Sequence, residues 1–208
     1  MNLHNNQEML RIVAIFRGVD LQQALDAAAV FVDAGIKALE ITCNTPDVIP
    51  IIANLSEKYG EQLAIGAGTV MTVEEVGSAK RAGASFILSP DCNPEIIKAT
   101  KDAGIFSVPG AFTASEIVQA HRAGADMVKL FPAGRLGPGY MKDLLGPLDH
   151  IKFMAVGGID LTNTKDFLDA GAKAVGIGSS LVNMKLIESR DFRQLKKLAI
   201  DFVENAYK

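Results

Sequence analysis

The chain has 208 residues, 49% of them hydrophobic, with 19 glycines and no tryptophan; this fits one close-packed α/β domain over residues 1–208 and excludes a disordered or fibrous protein. A net charge of −3 comes from 21 basic and 24 acidic residues without a long run of one sign, so neither nucleic acid nor an anionic membrane is expected as a partner. The opening Met1-Asn2-Leu3-His4-Asn5-Asn6 lacks a basic region followed by an apolar stretch, and no segment reaches membrane-span length, so a cytoplasmic protein is expected.

After a short N-terminal helix at Gln7 to Met9, strand-like runs occupy Ile12 to Phe16, Lys37 to Ile41, Leu63 to Ile65, Ser85 to Leu88, Phe106 to Val108, Met127 to Leu130, Ile151 to Val156 and Lys173 to Ile177. They recur about 20 to 26 residues apart with amphipathic stretches between them, and a final helix is expected over Phe192 to Ala206. Ala-Gly pairs at Ala34-Gly35, Ala82-Gly83, Ala103-Gly104, Ala123-Gly124 and Ala170-Gly171 close helical patterns, as glycine suits the left-handed turn ending a helix. Regular alternation of strand and helix implies parallel strands with crossover helices, and eight units predict a (β/α)₈ TIM barrel with a short N-terminal helix. No GxGxxG follows the first strand, which argues against dinucleotide binding.

In such barrels chemistry gathers at the C-terminal strand ends. Arg17, Glu40, Thr69, Ser89 and Lys129 end strands one, two, three, four and six. Alternation puts Glu40 on the face of Ala38 and Thr42, and Lys129 on that of Met127 and Phe131. Lys129 stands in the apolar run Val128-Lys129-Leu130-Phe131-Pro132. A buried ammonium without a partner is costly, so this amine is expected to act neutral, as a nucleophile forming a Schiff base with a carbonyl substrate; the alternative is a lysine snorkelling past the strand end. Bringing its pKa near 7 takes about 4 to 5 kcal/mol, expected from desolvation by Val128, Leu130 and Phe131. Glu40, in Ala38-Leu39-Glu40-Ile41, is either a solvent-facing or capping carboxylate or the partner of Lys129; as partner it shuttles protons and favours the ammonium.

Strand seven finishes in Val156-Gly157-Gly158 and strand eight in Gly176-Ile177-Gly178-Ser179-Ser180. Glycines there let backbone N–H groups approach an anion, phosphate or carboxylate, and a helix following Ile159-Asp160-Leu161-Thr162 would add its dipole. Cys43 and Cys92 are too few and isolated for a disulfide framework or thiolate site and read as structural. His4, His121 and His150 are dispersed, so no metal is expected.

Leu39-Glu40-Ile41-Thr42, Gly66-Ala67-Gly68-Thr69-Val70, Ser89-Pro90, Val108-Pro109-Gly110, Lys129-Leu130-Phe131-Pro132-Ala133, Gly157-Gly158-Ile159 and Gly178-Ser179-Ser180 make the chain resemble the 2-keto-3-deoxy-6-phosphogluconate (KDPG) and 4-hydroxy-2-oxoglutarate (KHG) aldolase family. The resemblance implies a class I aldolase on a TIM barrel, often a homotrimer. Such an enzyme splits a 2-keto-4-hydroxy acid, here 2-keto-3-deoxy-6-phosphogluconate, into pyruvate and glyceraldehyde 3-phosphate. It also implies cleavage of 4-hydroxy-2-oxoglutarate to pyruvate and glyoxylate, with no cofactor beyond the imine. By position Lys129 matches the Schiff-base lysine, Glu40 the general acid/base and Thr69 a holder of the pyruvate carboxylate. Pro90 and Phe131 match pocket walls, and Gly157, Gly158, Gly178, Ser179 and Ser180 fall in the phosphate turns. One departure is Asn44, where the gluconate pattern has arginine; Arg17 is expected to supply that cation. Arg17-Gly18 and Asn44 are similar to the 2-keto-3-deoxy-6-phosphogalactonate branch, the alternative substrate. A phosphosugar isomerase or epimerase, and a non-catalytic phosphate-ligand binding protein, are remoter readings.

Overall fold

The computed structural model describes residues 3–207; Met1 and Asn2, read above as part of the opening segment, and Lys208 lie outside them. A 3-10 helix at Gln7–Leu10 leads into strands β1 (Ile12–Phe16), β2 (Ala38–Thr42), β3 (Ala64–Gly68), β4 (Phe86–Leu88), β5 (Phe106–Val108), β6 (Gly110–Ala111), β7 (Val128–Leu130), β8 (Phe153–Val156) and β9 (Ala174–Ile177). The helices are α1 (Leu21–Ala34), α2 (Val48–Tyr59), α3 (Val73–Arg81), α4 (Pro94–Asp102), α5 (Ala114–Arg122), α6 (Ala133–Leu145), α7 (Thr164–Asp169), α8 (Met184–Glu188) and α9 (Phe192–Tyr207). None of them is long and apolar enough to cross a membrane.

All strand pairs are parallel, in the order β5-β4-β3-β2-β1-β9-β8-β7-β6. The eight expected strands become nine segments because a short unexpected one, Gly110–Ala111, follows the fifth across Pro109. Proline has no N–H to donate, yet its carbonyl accepts from Lys129 N at 2.9 Å. β5 pairs with β4 and β6 with β7, so the chain through Pro109 closes the ring. The largest boundary correction is β3, expected to stop at Ile65, which runs on to Gly68. Glycine carries no apolar side chain, so Gly66 and Gly68 are silent in a hydrophobic pattern although their backbones pair with Glu40 and Thr42. Lys37, Leu63, Ser85, Met127, Ile151 and Lys173 lie outside their strands. The helices reach Leu10 and Tyr207, one residue beyond expectation in each case.

Alternation sorts the core into two layers. Val13, Ala38, Phe86, Phe106, Met127 and Met154 fill the inside of the ring. Ala14, Leu39, Ile87, Val128, Leu130 and Phe153 face outward into a larger layer sealed by the helices. At five helix ends the glycine of each Ala-Gly pair has a positive φ, from 71° at Gly104 to 114° at Gly171, turning the chain into the next strand.

Capping boxes fix three starts after strand ends: Asp20 with Gln23 on α1, Thr72 with Glu75 on α3, and Thr113 with Glu116 on α5. Such a cap contributes about 1 kcal/mol. Glu75 and Glu116 also accept from Met71 N and Phe112 N, at 2.6 and 2.8 Å, holding the preceding loops. Where β6 begins, a methyl group on Gly110 would run into the backbone carbonyl of Pro90. Gly110→Ala is expected to lower stability by about 3 kcal/mol, read as a shift of the urea unfolding midpoint at unchanged slope.

Candidate active site

At the C-terminal strand ends lies a cavity of about 540 Å³. Going round the ring, its polar wall is Thr69 after β3, Glu40 on β2, Arg17 after β1, Ser179 and Ser180 after β9, and Gly157 and Gly158 after β8. Lys129 on β7 and Phe131 beyond it complete the circuit, with Pro90 after β4. The cavity thus brings together every residue that the sequence singled out as catalytic, substrate-binding or phosphate-binding. Asn44 is exposed and Ser89 buried, and neither lines it. A second cavity of about 490 Å³ opens at the other end, beside Leu63, Ser85 and Phe106, and holds none of them.

Lys129 and Glu40 point inward and retain only 6% and 1% exposure. Burial pulls the Lys129 amine below the ordinary lysine range; Glu40 opposes this and Arg17 reinforces it. Burial raises the Glu40 carboxyl, against the pull of Lys129 and Arg17. The origin of the desolvation differs from expectation. Val128 and Leu130 turn to the outer layer, because neighbours of an inward strand residue point outward. The apolar surroundings of the amine are the interior layer, including Met154, its register partner on β8. Phe131 is 38% exposed, and the Lys129 Nζ stands 4.8 Å from its ring centroid. The ring's negative face favours the ammonium, so Phe131 works against neutrality rather than for it.

Room for the carboxyl group comes from β3. A methyl group on Gly68 would overlap Glu40 Oε1, and Glu40 Oε2 is buried without a hydrogen-bond partner among the described residues. An orphan buried acceptor costs about 1–3 kcal/mol, a cost relieved when the group is protonated or meets a substrate hydroxyl. Thr69 adopts φ 56°, a left-handed backbone that a β-branched residue rarely takes, and such strain collects at working sites.

Gly157 and Gly158 have φ of 88° and 74°. Gly134 N donates to Gly157 O at 2.8 Å, and Asn163 Nδ2 to Gly158 O at 2.9 Å, which fixes the turn. The expected helix dipole is displaced. α7 starts only at Thr164, since Asp160 accepts from Thr162 N at 2.8 Å and builds a local turn first. The groups lining this side of the cavity are therefore loop backbone and the exposed Ser179 and Ser180.

Burial pushes the Cys43 thiol up to about 12 and raises that of Cys92, which disfavours the thiolate form of each. No group of three or more His, Cys, Asp or Glu side chains among the described residues is placed to hold a metal ion. Ile15 also lines the cavity and escaped notice, although inward alternation pointed to it; Val156 and Gly176, read above only as part of strand ends, line it too. Ile159 and Val182 do so from loops, where no periodic signal exists, and Met184 from the start of α8.

A family model for the KDPG and KHG aldolases matches residues 3–198. The 2-dehydro-3-deoxy-6-phosphogalactonate aldolase of Escherichia coli is 37% identical over 176 residues, 84% of this chain and 86% of its own. A native KDPGal structure, 34% identical, covers 94% of both chains with a TM-score of 0.88. A KDPG aldolase from Legionella pneumophila, captured with pyruvate as a covalent carbinolamine, is 28% identical. It superposes over 93% of this chain and 95% of its own with a TM-score of 0.86.

The opposed shifts give a pH-dependent stability. Between its lowered folded pKa and the ordinary 10.5, Lys129 has lost a proton that the unfolded chain keeps, so its burial cost is greatest at low pH and fades as pH rises. In a Glu40→Gln background, Lys129→Met is expected to stabilise the fold by about 1–4 kcal/mol at pH 7. That gain should shrink towards pH 10.5 in urea titrations across the range.

Proposed function

The chain belongs to the KDPG and KHG aldolase family and is a carbon–carbon lyase, and from that premise we propose that Lys129 carries the reaction as an imine and Glu40 moves its protons. The substrate in this reading is a 2-keto-3-deoxy-6-phospho-sugar acid, and the observation that carries it is the inward, desolvated amine beside a buried carboxyl group in the cavity.

Neutral Lys129 attacks the C2 ketone, giving a carbinolamine that loses water to a protonated imine. The imine nitrogen draws the C3–C4 bonding pair into an enamine while Glu40 takes the C4 hydroxyl proton. The aldehyde leaves as glyceraldehyde 3-phosphate; protonation at C3 and hydrolysis then release pyruvate and regenerate the amine. The carbinolamine trapped in the Legionella relative has the form of the first intermediate. Thr69 and Arg17 hold the carboxylate end, Pro90 and Phe131 wall the pyruvyl portion, and Gly157, Gly158, Gly178, Ser179 and Ser180 receive the phosphate. The imine needs no metal or organic cofactor.

Gluconate is the first reading of the sugar acid, with 4-hydroxy-2-oxoglutarate as a shorter substrate whose carboxylate takes the anion turns. A second reading, the galactonate epimer, has a specific observation in its favour. Besides Lys129, the cation on the cavity wall is Arg17, whereas position 44 carries an exposed asparagine outside it. Both epimers give the same two products. A cytoplasmic homotrimer fits the free thiols of Cys43 and Cys92. It also fits the exposed Met71 and Phe112 on loops and Val73 at the start of α3, all at the cavity end, apolar surface that an interface would cover.

Incubation with pyruvate and borohydride is expected to add one reduced pyruvyl group at Lys129, seen by intact mass and peptide mapping. Lys129→Ala abolishes the adduct, and an adduct on another residue overturns the assignment. Glu40→Gln should lower kcat by about 10²–10⁴ with pyruvate trapping retained. Parallel assays of pyruvate release from the three acids rank the substrates, and release from none of them refutes this substrate class.

A further inference from the structure

Arg17 lines the cavity from an exposed position at the end of β1, and among the described residues no hydrogen bond or ion pair anchors its guanidinium. What places it is therefore its backbone. Both flanks of that backbone are held by two threonines from β2 and the turn that follows. Thr42 Oγ1 donates to Phe16 O at 3.2 Å, Thr42 and Thr45 Oγ1 atoms are 3.2 Å apart, and Gly18 N donates to Thr45 Oγ1 at 3.0 Å.

The direction of the middle bond follows from proton counting. Each hydroxyl has one proton. A carbonyl only accepts, so the Thr42 proton is committed to Phe16 O, and Thr45 must be the donor to Thr42. The relay then runs Gly18 N–H to Thr45, Thr45 O–H to Thr42, and Thr42 O–H to Phe16 O, with every proton used. Thr42 and Thr45 are 0% and 3% exposed, so water does not replace these bonds. Thr45 is itself pinned, its N–H donating to Thr42 O at 2.8 Å, and Cys43 N between them donates to Gly68 O at 2.7 Å. The relay thus ties Arg17 to the end of the strand that carries Glu40 and to the β3 end that precedes Thr69.

We propose that Thr45 is a positioning residue for the aldol reaction: its hydroxyl, through Gly18 N–H and Thr42, fixes the backbone of Arg17 so that the guanidinium meets an anionic group of the substrate. The inference rests on the reading of Arg17 as a substrate-binding cation. Valine fills the same space as threonine but neither accepts from Gly18 nor donates to Thr42, whereas serine does both.

The test is a double-variant cycle on the full-length enzyme, with KM and kcat measured for the best of the three sugar acids. Thr45→Val is expected to raise KM roughly ten- to a hundred-fold with a much smaller change in kcat, and Thr45→Ser to restore the parent value. In an Arg17→Ala background, which itself raises KM, Thr45→Val should add nothing further. The same rise in both backgrounds, or no rise in either, overturns the positioning role. An unchanged KM in Arg17→Ala alone instead overturns the reading of Arg17, and the two failures are distinct. If Thr45→Val does not fold, Thr42→Val breaks the relay at its other end and is scored by the same criteria.

Discussion

The constraint on which everything else turns is the enclosure of an amine and a carboxyl group inside one ring of strands. Each is destabilised in its charged form by burial, and each partly rescues the charge of the other. An apolar pair of the same volume would be at least as stable, so the fold carries the two groups at a cost. The surrounding architecture supplies the compensation. A large outer layer between strands and helices holds the barrel, and the smaller interior layer provides the dry surroundings that shift Lys129.

Space inside the ring is allotted by side-chain size. On β3 the inward positions are Ala64, Gly66 and Gly68, and the two glycines leave volume for the Phe86 ring and the Glu40 carboxyl group respectively. Glu40 is thus held by the absence of side chains on its neighbour more than by hydrogen bonds to it. A carboxyl group placed in this way keeps one oxygen without a hydrogen-bond partner among the described residues. Arg17 works on the same pair from the rim, lowering the pKa of both groups while remaining in contact with solvent.

The rim is less forgiving than its loop character suggests. Capping boxes at Asp20, Thr72 and Thr113 set where helices begin after the loops bearing Arg17, Thr69 and Phe112. The hydroxyl relay adds a second restraint at Arg17, and the left-handed Thr69 shows that local strain is tolerated where the surroundings impose it. Aldehyde-lyase chemistry of the family requires this rigidity, since an electron sink at C2 and a proton acceptor at the C4 hydroxyl must meet one substrate on either side of C3.

By itself the sequence determined the alternating architecture, because spacing, Ala-Gly helix ends and apolar strands are local properties that survive without a partner. It also marked Lys129 and Glu40, since a charge amid apolar neighbours is anomalous in one dimension as well as three. Tertiary structure decided what lies outside such patterns. Glycine has no hydropathic signature, so the extension of β3 through Gly66 and Gly68 was invisible, and the two-residue strand Gly110–Ala111 beyond Pro109 is too short to show a pattern. Alternation sent Val128 and Leu130 away from the amine that they flank in sequence, and a local turn at Asp160 moved α7 beyond the glycine pair. The meeting of Thr42 and Thr45 with Phe16 and Gly18, more than twenty residues earlier, is set by pairing of β1 with β2, and no single segment encodes a contact between two.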